Sequence, residues 1–331
     1  MSTSESQKGI GRLREHRALG LFVFTLILAI LVSIKEPTFL SATNMKSIVL
    51  WVSVLLVMGA GQMLAVVTRG IDVSVGSIMG LSAMVMGVAL LRFDGLSVWL
   101  AVAIALGSGG LLGLVNGGLI AGLKIPPIIV TLGTLSVYRG LCFVVADGRQ
   151  IDSTEIPESL VNLSAKGLGG ISAIPMVIVI PVLTLFAVWF FLNHTRTGRS
   201  IYAIGSNPDA AVLLGLPVSR ILLLVYVLGG VLAGLGGVLY ASRYAVINPG
   251  NCGYGYELTV IAATVIGGIQ IRGGVGTVSG LIAGGLLLAV INVSMAVVGV
   301  AGAWQLAIYG SIILLAVVSE GFFARGQESR S

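Results

Sequence analysis

HTRTGRSIYAIGSNPDAAVLLGLPVSR, residues 194–220, interrupts a very apolar chain. MVIVIPVLTLFAVWFFL (176–192) precedes it and ILLLVYVLGGVLAGLGGVL (221–239) follows. Each flank is close to the ~20 apolar residues that a helix needs to cross a bilayer. The interruption carries Arg196, Arg199 and Arg220, with Asp209 as its one acid. A basic, partly helical connection between two spans faces the cytoplasm under the positive-inside bias.

The same alternation recurs from end to end. Hydrophobic residues make up 56% of the 331 and charged residues only 10%, and the mean hydropathy is +1.05. No stretch is long or polar enough to form a separate soluble domain. The pattern predicts an all-α polytopic membrane protein with about ten transmembrane helices. The predicted spans are 18–34, 47–67, 73–91, 96–123, 128–146, 173–193, 221–242, 257–270, 277–298 and 303–318, of which the eighth is short. Residues 1–17 form a cytoplasmic segment, 18–320 the transmembrane domain with loop 194–220 inside it, and 321–331 a cytoplasmic tail. Lys35-Glu36-Pro37 after the first apolar run offers no small-residue cleavage site, so that run is read as a span and not as a signal peptide.

The net charge of +6 raises the question of nucleic acid. The bases sit at span ends, which is a topology signal and argues against a nucleic-acid partner. In the ten-span arrangement Lys35, Lys46, Arg92, Arg149, Lys166 and Arg243 lie outside, Arg139 lies within a span, and the other twelve of the 19 bases lie inside. Both termini are therefore expected in the cytoplasm.

There are 47 glycines. Small-xxx-small spacings at Gly109/Gly113/Gly117, Gly118/Gly122, Gly230/Gly234 and Gly276/Gly280/Gly284 predict close helix contacts, because backbones without a Cβ approach closely. No active site is legible. The dipeptide Gly-Lys is absent, which excludes a phosphate-binding loop of the G-x-x-x-x-G-K-[ST] type, and neither H-E-x-x-H nor G-x-S-x-G occurs. Cys142 and Cys252 lack metal spacing and read as packing residues, and His16 and His194 lie at polar ends. No catalytic, cofactor or metal residue is assigned. If ATP and Mg are used, a partner binds them.

Three features inside the apolar background carry polarity. Gly70-Ile71-Asp72-Val73-Ser74-Val75-Gly76-Ser77 joins two spans. A carboxylate near lipid costs roughly 3 kcal/mol on insertion scales unless paired or wet, and irregular backbone is tolerated where it lines a cavity. Gly70, Asp72, Ser74, Gly76 and Ser77 are therefore candidates for a gate or pathway. Capping of the next helix by Asp72 or Ser74 is an equally good and compatible reading. Arg139 is the one base within a span. It is expected to pair with an acid such as Glu257, with contact to solute as the other reading. Asn116 and Gln62 are lone amides expected to bridge helices, and Asn116 is kept as a pathway candidate. In the basic loop, Pro208 and Asp209 suit the first turn of a short helix that Gly215-Leu216-Pro217 ends. Ala210, Ala211 and Leu214 share a face of it. Asn207, Pro208, Ala210, Ala211, Leu214 and Gly215, with Arg199, are the candidates for docking a soluble partner; a helix lying on the membrane surface is the plain alternative.

Several motifs together resemble the membrane-spanning permease of bacterial ABC importers for monosaccharides, of the ribose, galactose and xylose type. They are the 70–77 stretch, Thr131-Leu132-Gly133-Thr134, Gly198-Arg199, Tyr202-Ala203-Ile204-Gly205-Ser206-Asn207, Ala210-Ala211, Gly255-Tyr256-Glu257-Leu258 and Val265-Ile266-Gly267-Gly268. The resemblance implies an inner-membrane importer subunit for a sugar or sugar-like solute that makes no covalent bond. It implies a second permease subunit, a cytoplasmic ABC ATPase docked on a coupling helix at about 207–216, and a periplasmic sugar-binding protein over 147–171 and 243–256. Arg69 stands where the family usually has Gly, and Thr259 where it usually has Asp. Thr68-Arg69-Gly70, Lys124-Ile125-Pro126 and Tyr138-Arg139-Gly140 look closer to permeases for autoinducer-2 or rhamnose. The competing class, a secondary transporter or channel working alone, calls for several intramembrane carboxylates, and only Asp72 and Glu257 qualify.

Overall fold

The computed structural model describes residues 3–165 and 175–301, and residues 304, 305, 307, 308, 310, 311, 314 and 315 beyond, with side chains from Ala18 onward. Those residues form helices α1 (Thr3–Lys35), α2 (Ala42–Val67), α3 (Val75–Arg92), α4 (Val98–Leu123), α5 (Pro127–Val145), α6 (Glu158–Ala165), α7 (Met176–His194), α8 (Arg196–Ser206), α9 (Pro208–Leu213), α10 (Val218–Tyr244), α11 (Tyr256–Ile266) and α12 (Val278–Val297). A short 3-10 helix, Pro37–Leu40, joins α1 to α2. Among the described residues the one β pairing is an isolated antiparallel bridge, Ile151↔Ile247.

Eight of these helices are long and apolar enough to cross a bilayer. They correspond to the first seven predicted spans and the ninth. The short eighth is α11, whose 11 residues reach about 16 Å, roughly half a bilayer core. Half of the tenth lies outside the described residues, and all of Lys166–Ile171 of the long outer segment and the 321–331 tail do.

Helix α2 is the axis. Its residues from Val54 to Val67 are all buried, and α7, α10, α11 and α12 pack around it. The glycines set how close the neighbours come. A Cβ at Gly230 of α10 would strike the Gly109 carbonyl of α4, one at Gly113 would strike the Tyr226 carbonyl, and one at Gly234 would strike the Ala105 carbonyl. The α4–α10 contact is therefore backbone against backbone, which gains dispersion energy that lipid cannot match. Gly280 and Gly284 do the same against Gly267 and Ala263. Among the described residues the Gly118/Gly122 spacing marks no contact: none lies within 4 Å of an added Cβ at either.

The ends of the bundle differ. The α2–α3 turn, the α4–α5 turn with Lys124, α8, α9 and the 267–277 turn gather at one end, here the basic end. At the far end the Ile151↔Ile247 bridge joins the two long connections, and Asn248 Nδ2 donates to Gln150 Oε1 at 2.9 Å. Ser164 and Ser242 share a hydroxyl bond of 2.8 Å that ties α6 to α10.

Gly230→Val should disrupt the α4–α10 contact and cost about 1–3 kcal/mol or more through overpacking, seen as a lower melting temperature and aggregation on size-exclusion chromatography in detergent. Gly122→Val, on the open face, should melt like the parent.

Candidate functional site

All seven pathway candidates collect around the first two turns of α3. That helix does not start at the end of the bundle. Residues 68–74 turn back inward, so that Gln62, five residues before the end of α2, meets Asp72. With its amide oriented to satisfy both groups, Gln62 donates to the Asp72 carbonyl at 3.0 Å and accepts from the Asp72 N–H at 3.3 Å. Asn116, seven residues before the end of α4, donates through Nδ2 to Ser74 Oγ at 2.8 Å. At 1.5 Å per residue, α3 begins about two turns inside the bundle.

Irregular backbone at that depth has no water to bond and must find protein partners. The polar residues of the motif supply them. Asp72 Oδ1 accepts from the Ser74 N–H at 2.9 Å and from Ser74 Oγ at 2.6 Å. Ser77 Oγ donates to the Ser74 carbonyl at 2.8 Å. Thr131 Oγ1 of α5 donates to the Ile71 carbonyl at 3.0 Å. Tyr138 OH shares its proton between the Leu112 carbonyl at 2.9 Å and Asn116 Oδ1 at 3.0 Å. A continuous chain, Asp72–Ser74–Asn116–Tyr138, thus ties α3, α4 and α5 together. Asp72, Ser74, Ser77 and Asn116 are all buried. Through these two bonds the Asp72 carboxyl stabilises the turn into α3.

Arg139 sits one turn further along α3. It does not pair with Glu257. Its Nη1 donates to the Cys252 carbonyl at 2.6 Å and reaches the Pro249 carbonyl at 3.4 Å, while Glu257 Oε1 accepts from the Gly255 N–H at 3.3 Å. The reason is that the far-end connection 245–255 dips into the bundle along α3. Ile247 faces Gly87, Cys252 faces Gly80, and Gly253, at φ +78°, lies on the Gly76 carbonyl. Those unpaired carbonyls at depth attract the guanidinium more cheaply than an ion pair would. Thr259, at the position where an acid was expected, donates to the Gly255 carbonyl of its own helix at 3.0 Å.

At the basic end α8 and α9 form a helical hairpin. Thr195 caps α8 by accepting from the Gly198 N–H at 2.9 Å, and Gly198, Ile201, Ile204 and Gly205 make its buried face. Asn207 caps α9 by accepting from the Ala210 N–H at 3.0 Å, with Pro208 in the first turn and Gly215 just beyond. Of the three residues expected to share an exposed face, Ala210 and Leu214 are accessible and Ala211 is not. Ala211 is 1% exposed and packs inward, whereas Leu213 is 87% and Leu214 78% exposed. Arg199 is exposed on α8.

Arg69 joins this hairpin to the polar turn. It holds a left-handed conformation, φ 66°. Its Nε donates to the Gly205 carbonyl at 2.6 Å and its Nη2 to the Ser206 carbonyl at 2.7 Å. A cation thus closes the negative end of α8. The Gly274 N–H donates to the Val67 carbonyl at 2.9 Å, which brings the 267–277 turn into the same joint. The sequence marked Arg69 only as a departure from the family and Arg199 only as a docking candidate, and it did not show the role of Tyr138 or the extent of α8. The α8 signal was present in Thr195 followed by apolar or small residues at 198, 201, 204 and 205. Among the described residues no group of three or more His, Cys, Asp and Glu is placed to hold a metal ion.

Comparison with known proteins matches residues 44–317 to a family described as branched-chain amino acid transport system / permease component. The autoinducer 2 import system permease protein LsrC of Photorhabdus laumondii is 36% identical over 93% of this chain and 90% of its own. The galactose/methyl galactoside import permease protein MglC of Escherichia coli is 34% identical over 90% of this chain and 92% of its own. The ribose import permease protein RbsC of Bacillus subtilis is 37% identical over 91% of both. No solved structure matches the chain.

Removing the brace leaves a testable signature. Arg69→Ala should leave the bundle folded and speed amide hydrogen exchange in 205–214 by about tenfold, since two charge-assisted, partly exposed bonds are lost. Exchange in α2 and α10 should stay as in the parent.

Proposed function

The chain belongs to this permease family, and on that premise we propose that it passes a small, sugar-like solute through the membrane in an ATP-driven importer. It is a multi-pass inner-membrane transport subunit and not an enzyme. The observation that carries the mechanism is the Arg69 joint, which connects an exposed apolar helix at the basic end to the buried polar start of α3.

In this reading the basic end faces the cytoplasm. A partner ABC ATPase, which holds ATP and Mg, docks on the exposed Val212, Leu213 and Leu214 of α9. Closure of the ATPase displaces the α8–α9 hairpin. The two α8 carbonyls carry Arg69 with them, and Gly70–Asp72 follow. The Asp72–Ser74–Asn116–Tyr138 chain is then the element with two arrangements, since moving the turn breaks its contacts with α4 and α5 together. Gly70, Asp72, Ser74, Gly76, Ser77 and Asn116 serve as the hinge of the gate more than as its lining, because they are buried. Arg139 fixes the dipped 245–255 loop against α3, and Gly253 permits the close approach.

A periplasmic solute-binding protein docks on the far end, where the bridge between Ile151 and Ile247 makes one surface of the two long connections. The pathway is completed by a second permease subunit, identical or related. Gly133, Ser136 and Gly140 lie on one exposed face of α5, and small residues in an otherwise apolar face suit such a contact. The solute is a monosaccharide or a compound of similar size and hydroxyl content, of the ribose, rhamnose or autoinducer-2 kind. The names of the relatives support that class without choosing within it.

Uptake into reconstituted vesicles should require the ATPase, ATP and the binding protein together. Leu213→Arg combined with Leu214→Arg should cut uptake and ATPase association at least about thirtyfold, as loss of an interface hot spot does, in a permease that still elutes as a single species. Ala211→Arg should instead misfold the α8–α9 hairpin. Uptake by the permease alone would overturn the reading.

A further inference from the structure

A cavity of about 940 Å³ opens at the basic end between the α2–α3 turn, the α4–α5 turn, α9 and the start of α10. Three cations line it, Arg69 from the α2–α3 turn, Lys124 from the α4–α5 turn and Arg220 from the start of α10, and among the described residues no Asp or Glu does. Arg69 spends Nε and Nη2 on the α8 carbonyls, and among the described residues Lys124 and Arg220 make no ion pair. At the inner end lies the hydroxyl of Tyr226. That residue is 1% exposed, and among the described residues its OH has no hydrogen-bond partner.

A buried hydroxyl without a partner is costly to keep, and three like charges around one cavity repel. One ligand chemistry answers both. The walls between the cationic rim and Tyr226 are apolar, formed by Ile120, Ile125 and Leu222. We propose that this cavity binds a phosphate ester, with the phosphate at Lys124 and Arg220 and the remainder of the molecule along the apolar wall toward the Tyr226 hydroxyl. Phosphate offers several acceptor oxygens to converging cations. Two sources carry that group to this place: the headgroup of an anionic phospholipid in the adjoining leaflet and a free phosphorylated solute. Because Pro208 and Val212 of α9 also line the cavity, the ligand touches the helix proposed to couple to the ATPase, while Leu213 and Leu214 stay clear of it.

The test uses the full chain in nanodiscs of phosphatidylcholine with and without phosphatidylglycerol, read by native mass spectrometry, with inorganic phosphate added in a parallel series. The parent should retain phosphatidylglycerol over phosphatidylcholine, and Lys124→Gln with Arg220→Gln should lower that retention about tenfold, as loss of charge-assisted bonds predicts. Tyr226→Phe should lower it less. If phosphatidylglycerol is retained and inorganic phosphate does not displace it, the source is lipid. If the lipid shows no preference but inorganic phosphate raises the melting temperature of the parent and not of the double variant, the source is a free phosphate compound. Arg196→Gln removes a cation outside the cavity and should leave both readouts unchanged. Equal losses in Arg196→Gln and the double variant, or no response to either ligand, would overturn the proposal. None of these readouts requires transport, so failure here is separable from failure of the importer reading.

Discussion

Backbone that leaves helical geometry inside a bilayer must have its N–H and C=O groups bonded by protein. In this chain residues 68–74 do so about two turns inside the bundle, and the surrounding structure is arranged to meet that demand. Gln62 takes the Asp72 peptide, Thr131 the Ile71 carbonyl, Ser77 the Ser74 carbonyl, and Asp72 the Ser74 N–H. Each partner comes from a different helix or from the turn itself. Gln62 of α2 and Thr131 of α5 thus satisfy backbone groups of one irregular turn, and Asn116 of α4 bonds its Ser74 hydroxyl.

The same constraint explains why the far-end connection can dip. Its carbonyls at Cys252 and Pro249 face Arg139, and its Gly253 rests on Gly76 of α3. The polar start of α3 is thus held from both ends of the molecule: by Arg139 and the dipped loop on one side, by Arg69 and the α8–α9 hairpin on the other. A displacement at either end is felt at the same few residues. In the importer proposed above, such convergence lets a gate be worked from one side and loaded from the other.

Much of this was legible in the sequence. Apolar runs of about 20 residues located eight crossing helices, and Pro208, Asp209 and Gly215 located α9. The motif at 70–77 announced itself because carboxylate, hydroxyl and glycine are expensive between spans. The partners were harder to read. Arg139 was expected to seek Glu257, because charge is visible in a sequence and a dipped loop of free carbonyls is not. Ala211 was assigned to the docking face because a six-residue helix has two apolar sides, and only the packing of α8 against the bundle tells which side turns inward. Gly118 and Gly122 share the spacing of Gly109 and Gly113 but sit on the rotated face of α4, a distinction that spacing alone does not contain. Arg69 was opaque for a related reason: its partners are main-chain carbonyls more than 130 residues away.

The joint between the α2–α3 turn and its neighbours is three hydrogen bonds wide: two from Arg69 and one from Gly274 to Val67. At about 1 kcal/mol net for the peptide–peptide hydrogen bond and about 1.5–3 kcal/mol for each guanidinium bond, it passes only several kcal/mol before it parts. In the importer proposed above, that makes it a slip clutch: a partner's stroke would move the turn as long as the turn yields easily, and if a solute jammed the path the carbonyls of α8 would release the guanidinium while the turn kept its arrangement.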